Sequence, residues 1–386
     1  MFTLVALCAI GAEKVLANEI KKLGYTPIGN ALGRVTFTCP EEGLFRSNLC
    51  LRTADRVFLQ MASFKAYDFD DLFEGIKALH WQDYFKKDVR LVIDKVRTKQ
   101  SKLSSEHSIQ GITHKAIYSK LGDVWKMHSM PETGSESVVR IYIEKDNVLV
   151  LLDLSGLPLH KRGYRTEGGI APLRETVACV LLQLMCWRRK TPLHDPFCGS
   201  GTLAAEAALY AYNVAPGFGR RFALENLAIY NQKLALTIRQ QEAEKIRPDC
   251  VARITGTDID PVAIERARGN VERACVTAGR ALQSIGSDMR VQRPDFEVAD
   301  FKDIAAPYES GLIITNPPYG ERIGDAEQAE ALYKEMAVLF DEFRGWDFGF
   351  ITSNDCFTTA IGKKPQQVKK IKSGNLDTNF YMYTGK

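Results

Sequence analysis

Two short segments of this chain combine residue types that could bind a charged ligand beside a flat ligand that carries an amine. The first, DPFCGSGT at residues 195–202, has the composition of a sharp turn between a strand and a helix, and its glycines permit close approach of the backbone to a ligand. The second, NPPY at residues 316–319, ends an apolar run. Since the glycines lack the GxGxxG spacing and no Walker-type lysine follows, the first segment does not favour phosphate recognition.

The first segment, which we call the glycine-rich loop (residues 195–202), begins with an acidic residue at the predicted end of a strand. The carboxylate of Asp195 could hold a cationic amine, such as the amino-acid end of S-adenosylmethionine. Cys198 lies inside the turn with no obvious activating base, so a nucleophilic role for it is disfavoured. The loop residues that we predict to bind this cofactor are Asp195, Phe197, Gly199, Gly201 and Thr202.

Two further acidic residues follow predicted strands and extend the predicted cofactor site. Asp258 could accept hydrogen bonds from both ribose hydroxyls, with Ile259 packing on the adenine ring and Asp260 capping the next helix. Asp300, at the predicted end of a third strand, could accept from the adenine amino group. The alternatives are that Asp258 and Asp260 both serve as caps and that Asp300 is an ordinary solvated strand end.

The tetrapeptide NPPY is suited to positioning an exocyclic amine, which is a poor nucleophile because its lone pair is delocalised into the ring. The Asn316 amide oxygen and the Pro317 carbonyl can accept from the N–H groups of the amine, while Pro317 and Pro318 stiffen the loop. Tyr319 can stack on the base. Positioning can supply several kcal/mol, up to ~7–11 in the best model cases. The alternative is a tight turn that happens to contain two prolines.

From about residue 171 the pattern alternates between helix and strand, which predicts a parallel sheet covered on both faces. The predicted strands of this region are 193–195, 253–258, 296–300, 311–315 and 348–352. Helices are predicted at 171–188, 202–212, 261–278 and 326–343, and the tail could form an antiparallel hairpin from 368–372 and 379–383. The charged segment 213–248 has no predicted role beyond a helical lid or a packing insert.

Residues 1–60 read as a small α+β unit, and residues 61–155 as a second unit. Basic residues crowd 86–126, and two more basic clusters lie at 161–174 and 363–372, which together favour a nucleic acid as partner. The alternative for each cluster is an ordinary solvated surface. The segment LPLHKRGYR at 157–165 reads as a linker whose cations could contact phosphate or dock the domains together, and we favour a mixture of both roles.

The composition of the 386 residues, with a net charge of +4, is that of an ordinary globular protein. The nine cysteines are scattered and odd in number, which predicts that the protein lies in the reducing cytoplasm. No CxxC pair occurs and the histidines show no metal-ligand spacing, so we predict no zinc site. The longest apolar run, 177–187, is too short to span a membrane. The apolar start, residues 1–10, lacks a basic region before it, so we predict a strand rather than a signal peptide.

The motifs together resemble those of bacterial THUMP-containing RNA guanine-N2 methyltransferases. This resemblance rests mainly on residues 159–165, 195–202 and 316–322. The chain is similar to the N-terminal methyltransferase half of the RlmL family of fused 23S rRNA methyltransferases. The resemblance implies an α/β chain with a ferredoxin-like element at 1–60 and a THUMP RNA-binding domain at 61–155. A Rossmann-like class I S-adenosylmethionine-dependent methyltransferase domain would follow at 156–386.

The resemblance implies formation of N2-methylguanosine, with 23S rRNA as the predicted substrate and tRNA as the closest alternative. The same tetrapeptide supports adenine-N6 methylation, and a further alternative is a non-catalytic RNA-binding factor in ribosome assembly. Cytosine-C5 methylation is disfavoured because no Pro-Cys nucleophile motif occurs. A target base inside an RNA helix would have to flip out, at a cost of roughly a few kcal/mol. The oligomeric state stays open.

Overall fold

The N-terminal half of the chain forms one seven-stranded sheet in the computed structural model, which describes residues 1–165, 173–318, 326–373 and 376–385. The strand order is β2-β3-β1-β4-β7-β6-β5. The elements in chain order are β1 (Phe2–Leu7), α1 (Glu13–Lys22), β2 (Thr26–Ala31), β3 (Arg34–Cys39), α2 (Glu42–Cys50), β4 (Arg56–Lys65), α3 (Phe69–Lys77), β5 (Arg90–Lys99), α4 (Glu106–Trp125), β6 (Glu136–Glu144) and β7 (Asn147–Asp153).

The predicted α+β character of this half is confirmed, and its two predicted units share the sheet. β4 pairs with β1 on one side and with β7 on the other, so residue 60 falls inside a strand that joins the two units. The apolar start of the chain is β1, a strand as expected. Helix α4 begins after Ser105, whose side chain accepts a hydrogen bond from the backbone N–H of Ser108 and caps the helix.

The C-terminal half alternates helices and strands. Its elements are α5 (Glu175–Leu184), β8 (Leu193–Asp195), α6 (Thr202–Ala211), α7 (Gln232–Glu244), β9 (Ile254–Asp258), α8 (Pro261–Gln283), β10 (Asp295–Val298), β11 (Leu312–Thr315), α9 (Ala326–Glu335), α10 (Val338–Glu342), β12 (Asp347–Thr352), α11 (Phe357–Ile361), β13 (Gln367–Ser373) and β14 (Leu376–Tyr383). The helix predicted from residue 171 begins at Glu175, and residues 171–172 lie outside the described part.

The second sheet has the order β10-β9-β8-β11-β12-β14-β13. Strands β8 to β12 run parallel, whereas β14 pairs antiparallel with both β12 and β13, which confirms the predicted parallel sheet and terminal hairpin. The chain leaves β8 for β9 in one direction and later returns to β11 on the other side of β8. In open α/β sheets, ligands bind at the carboxyl ends of the strands where the order reverses in this way.

The strand β11 is buried along its whole length and packs against helices on both faces of the sheet. Leu312 and Ile314 belong to the core that contains α5, α6 and α8, whereas Ile313 belongs to an aromatic-rich core under α9, α10 and α11. Because successive residues of a strand point to opposite faces, a strand covered on both sides needs a continuous apolar run. The strand therefore holds the residues after it, 316–318, on a rigid support.

Segment 213–248 packs between the halves of the molecule rather than over the cavity at the strand ends. Buried Ala235 and Ile238 of α7 belong to the common core, and Glu242 forms an ion pair with Arg46 of α2. The side chain of Arg52 donates to the carbonyl of Val214 over 2.8 Å. Of the two predicted alternatives for this segment, these contacts favour the packing insert.

Candidate active site

The glycine-rich loop uses its two glycines for different purposes. Gly199 has φ +50°, and an added Cβ would meet nothing within 4 Å, so its backbone faces open space. Gly201 has φ +74°, and an added Cβ would lie 2.9 Å from the Cβ of Ala267 in α8. Gly199 therefore leaves room for a ligand, whereas Gly201 lets the start of α6 pack closely on α8.

Asp258, the last residue of β9, anchors the glycine-rich loop through a hydrogen bond to its backbone. Its Oδ2 accepts from the backbone N–H of Gly199 over 2.9 Å, and its Oδ1 accepts from that of Asp260 over 3.0 Å. Each carboxylate oxygen keeps a lone pair for a second donor, so both can still receive a ribose hydroxyl. Asp260 caps α8 as predicted, because its side chain accepts from the N–H of Val262 over 2.8 Å.

Asp195 is buried at the end of β8 and has only two hydrogen-bond donors in the described structure. Its Oδ1 accepts from the hydroxyl of Thr315 over 2.6 Å and from the N–H of Phe197 over 3.2 Å. Burial, joined by the negative charge of Asp258, raises the pKa of Asp195 to about 7 despite these hydrogen bonds. A carboxylate held in this way favours a cation as its neighbour.

A cavity of about 250 Å³ lies between the glycine-rich loop, the end of β9 and the end of β11. It brings together six of the predicted site residues, which are Asp195, Phe197, Gly199, Thr202, Asp258 and Asn316. Among the described lining residues, the carboxylates of Asp195, Asp258 and Asp260 outnumber one basic side chain, Arg266, so the cavity suits a cationic ligand such as the ammonium or sulfonium of S-adenosylmethionine.

Three predicted cofactor residues do not line this cavity. Gly201 is the loop residue directly before α6, and it faces α8. Ile259 is 69% exposed, as a side chain must be to pack on a ligand ring, and its contact with adenine stays a prediction. The third is Asp300. The prediction that it closes its strand was wrong, since β10 ends at Val298, and its side chain accepts from the N–H of Lys302 over 3.0 Å in the following turn.

The tetrapeptide follows β11, the neighbour of β8, so Asn316 reaches the cavity beside Asp195. The amide oxygen of Asn316 is buried and has no hydrogen-bond partner among the described residues. Pro317 is buried, and the carbonyl of Pro318 accepts from the hydroxyl of Tyr333 over 3.5 Å. Tyr319, predicted to stack on the base, lies outside the described residues.

Among the described residues, the amide oxygen of Asn316 is an unpaired acceptor at the cavity, where it is available to a hydrogen-bond donor of a ligand. Leaving a buried acceptor unpaired costs about 1–3 kcal/mol, so native structures pair nearly all of them. An N–H of a bound amine would remove this cost. The arrangement therefore combines an acidic cavity for a cationic donor with an acceptor for an amine.

Sequence reasoning missed Thr315 and Leu173. Thr315 is buried and contacts Asp195, and the signal was its position as the polar end of the apolar run before the tetrapeptide. Leu173 precedes α5 and lines the cavity, without any motif that marks it. The doubt about Cys198 as a nucleophile is supported, because burial, together with Asp195 and Asp258, raises the pKa of its thiol.

Two cations of the linker at 157–165 hold neighbouring parts of the molecule together, which agrees with the predicted docking role. Arg162 is buried, donates to the carbonyls of Leu159 and Arg52 over 2.8 and 2.5 Å, and lies 3.6 Å from a carboxylate oxygen of Glu206 in α6. Arg165 pairs with Glu175 at 2.5 Å. Lys161 is exposed, so it can still meet a phosphate.

Comparison with known proteins identifies three parts of the chain. Residues 162–381 match the RMKL-like methyltransferase domain, 3–58 the RlmL ferredoxin-like domain and 66–153 the THUMP domain. The chain belongs to the RMKL-like methyltransferase family. The predicted resemblance is confirmed, including the Rossmann-like fold and the THUMP domain as RNA-binding module.

Two curated relatives show how far the similarity extends. The chain is 39% identical over 393 residues to YpsC of Bacillus subtilis (strain 168), which bears the name of an RNA methyltransferase, and the match covers 100% of this chain and 96% of YpsC. It is 32% identical over 397 residues to the ribosomal RNA large subunit methyltransferase K/L of Marinomonas sp. (strain MWYL1). That match covers 99% of this chain and 53% of the relative, so the chain spans about half its length.

Solved structures support the cofactor. The methyltransferase superposes with a TM-score of 0.88 and 34% identity on SMU.472, a methyltransferase complexed with SAH, covering 100% of this chain and 98% of that one. It superposes with a TM-score of 0.90 and 35% identity on a protein of Listeria monocytogenes str. 4b F2365 described as a predicted N6-adenine-specific DNA methylase, covering 100% and 96%. The enzyme uses S-adenosylmethionine, and its acidic cavity fits this cofactor.

In the part of the chain that the structure describes, no helix combines the length and apolar character needed to cross a membrane. The same residues contain no group of three or more histidine, cysteine or acidic side chains arranged to hold a metal ion.

Proposed function

We propose that the protein is an RNA methyltransferase that forms N2-methylguanosine in the large-subunit (23S) rRNA. The observation that carries the proposal is the buried amide oxygen of Asn316 at the edge of the acidic cavity, which has no hydrogen-bond partner among the residues that the structure describes. It provides an acceptor for an exocyclic amine beside the place where the methyl donor binds.

The residues of the site would act by binding and orientation. S-adenosylmethionine supplies an electrophilic methyl group on its sulfonium. Asp195 would hold the ammonium of the donor, and Asp258 its ribose hydroxyls, while Gly199 leaves space for the ligand.

On the acceptor side, Asn316 and the carbonyl of Pro317 would accept from the guanine amine and direct its lone pair at the methyl carbon. Tyr319 would stack on the base. Transfer would form the C–N bond as the C–S bond of the donor breaks, and the amine would then lose a proton to water. No side chain is needed as a general base.

The THUMP domain supports RNA as the substrate, as do the names of YpsC and of the K/L relative. The name of the latter favours the large-subunit rRNA, although the chain covers only half of that relative. Such a substrate places the protein in the cytoplasm, where ribosomes assemble.

Transfer to adenine N6 is the second candidate, because the Listeria protein described as an N6-adenine-specific methylase shares 35% identity over the whole chain. A tRNA substrate would keep the chemistry and change only the target. The non-catalytic assembly factor would need none of the acceptor geometry around Asn316.

The test uses purified protein, methyl-labelled S-adenosylmethionine, and separate rRNA and tRNA fractions from a strain that lacks the gene, with nucleosides identified by mass spectrometry. We expect N2-methylguanosine in 23S rRNA, and a rate of its formation on the order of 10²-fold lower with Asn316→Ala. The same product in tRNA would move the substrate, and N6-methyladenosine would overturn the base assignment. A strain carrying Asn316→Ala that keeps full function would support the assembly factor instead.

A further inference from the structure

The N-terminal sheet has one face that its helices leave open. In β1, Leu4 and Ala6 join the core under α1, whereas Val5 belongs to a separate small cluster with Phe58 and Leu151. Since successive strand residues point to opposite faces, the residues that alternate with the helix-side core line the other face. We call the face that carries Val5 the open face.

A cavity of about 970 Å³ lies on the open face, between residues of β2 to β7. Its cations come from different strands and from the turn between β6 and β7, and its lining includes one acidic residue, Glu144. The lining cations are Arg34, Lys65, Arg97, Lys99 and Lys145. We call this cavity the basic groove.

Nearby carboxylates neutralise only two of the five cations. Lys99 lies 3.7 Å from Glu144, and Arg97 lies 2.9 Å from Glu106. Among the described residues, the other three have no carboxylate oxygen within 4 Å, although hydrogen bonds from Lys102 and Ser101, helped by the charge of Lys65, lower the pKa of Asp146. Arg34 lies 5.7 Å from the centre of the Tyr142 ring, and the ammonium of Lys65 donates to the carbonyl of Lys145 over 2.7 Å.

Amide, hydroxyl and aromatic groups lie between these charges. Asn30, Gln60 and Thr36 line the groove, with the partly buried ring of Tyr142 among them. A single-stranded nucleic acid is bound by this combination, in which cations follow the backbone, an aromatic ring stacks on a base, and polar side chains meet base edges. An acidic protein surface would need the cations but not the ring.

We propose that the basic groove binds a single-stranded segment of the RNA substrate. The proposal rests on the proposed function for its choice of RNA. Some of the residues that would bind RNA lie outside the THUMP domain at 66–153. Arg34 belongs to the ferredoxin-like domain, and Lys65 precedes the THUMP domain. Because β4 pairs with β7, both domains contribute to one continuous surface.

The test compares two triple variants with equal charge change. The groove variant is Arg34→Gln with Lys65→Gln and Lys145→Gln. The control is Lys14→Gln with Lys21→Gln and Lys22→Gln, three exposed residues of α1, which packs on the opposite face of the sheet. Fluorescence anisotropy with a labelled 16-nucleotide single-stranded RNA, at a series of salt concentrations, measures binding by the full chain.

A plot of the logarithm of the association constant against the logarithm of the salt concentration should have a slope that is smaller in magnitude by about 2 for the groove variant. Each phosphate of a single strand that a cation neutralises contributes roughly 0.7 to this slope, and the variant removes three cations. Its affinity should fall at least tenfold at 0.1 M salt, whereas the control should stay within twofold. Equal losses in the two variants, or a loss confined to an RNA hairpin without a single-stranded tail, would overturn the proposal.

Methyl transfer to rRNA separates this inference from the proposed function. The groove variant should raise the KM for RNA with kcat and S-adenosylmethionine affinity unchanged. If the groove variant loses oligonucleotide binding but the unmodified protein methylates no RNA, the proposed function is contradicted and the assignment of the groove as the binding surface is supported. If the unmodified protein methylates rRNA and the groove variant does so with the same KM, the groove is not the binding surface.

Discussion

The hydroxyl of Thr315 donates a hydrogen bond to Oδ1 of Asp195 over 2.6 Å, and both residues are buried. Asp195 ends β8 and begins the glycine-rich loop, while Thr315 ends β11 directly before Asn316. The bond therefore joins the predicted donor-binding carboxylate to the strand that carries the predicted acceptor-binding amide. It fixes the relative positions of the two halves of the site.

Replacing Thr315 by valine, which has nearly the same shape, should weaken S-adenosylmethionine binding roughly 10- to 100-fold. Hydrogen bonds to charged groups contribute about 1.5–3 kcal/mol, and the loss removes support from the ionised form of Asp195. Isothermal titration calorimetry measures the change, with Thr315→Ser as the matched control that keeps the hydroxyl. Equal affinity in the valine and serine variants would contradict the role of the bond.

Cofactor affinity should depend on the protonation of Asp195. The pKa of this carboxyl is raised to about 7, so the free protein carries it mostly neutral at pH 6 and mostly ionised at pH 8. Only the ionised form attracts the donor ammonium, so affinity should fall about tenfold per pH unit below pH 7. Titration calorimetry from pH 5.5 to 7.5 checks this, and Asp195→Asn should flatten the profile.

The same carboxyl should lower the stability of the cofactor-free protein at high pH. The pKa of Asp195 is about 7 in the folded protein, compared with an ordinary value of 3.8 that represents the unfolded chain. Between pH 3.8 and 7 the folded state therefore binds more protons than the unfolded state, and the free energy of unfolding falls as the pH rises through this range. Asp195→Asn should therefore raise the Tm of the free protein at pH 8 and change it little at pH 4. An equal shift at both pH values would show that titration is not the cause.

The sequence predicted the strand ends of the site better than the contacts between them. The tetrapeptide was found because a buried parallel strand reads as an apolar run, and β11 is such a run that stops at polar residues. Asp258 was found as an acidic residue at the end of a predicted strand. The bond between Thr315 and Asp195 joins residues 120 positions apart, and no local pattern encodes it. Asp300 was misplaced because the alternation of β10 stops at Val298 while an acidic residue follows nearby.

The N-terminal half shows the same limit. The segment TPIGNA of β2 lacks the alternation of apolar and polar residues that marks a strand, and edge position explains why it tolerates this composition. The pairing of β4 with β7, which unites two units that read as separate, depends on tertiary packing. Local propensity defines elements, whereas their order in a sheet follows from burial of the common core.

The two glycines of the loop should respond differently to alanine. Gly201→Ala places a Cβ 2.9 Å from that of Ala267, in addition to about 1–2 kcal/mol for the left-handed backbone, so it should lower the Tm by several degrees. Gly199→Ala meets no neighbour and should lower the Tm less, while its methyl group intrudes on the ligand space and weakens cofactor binding. Thermal unfolding without ligand and calorimetry with ligand separate the effects.

Asn316→Ala should separate catalysis from both stability and donor binding. The amide oxygen is buried without a partner in the described structure, so its removal eliminates a desolvation cost, and the Tm of the free protein should not fall. Donor affinity should change less than threefold, since the amide is assigned to the acceptor. Loss of a positioning contact should lower kcat on the order of 10²-fold or more. Single-turnover transfer, with Asn316→Asp as the variant that retains an acceptor oxygen, measures this. A marked fall in Tm with kcat preserved would mean that Asn316 supports the turn rather than the substrate amine.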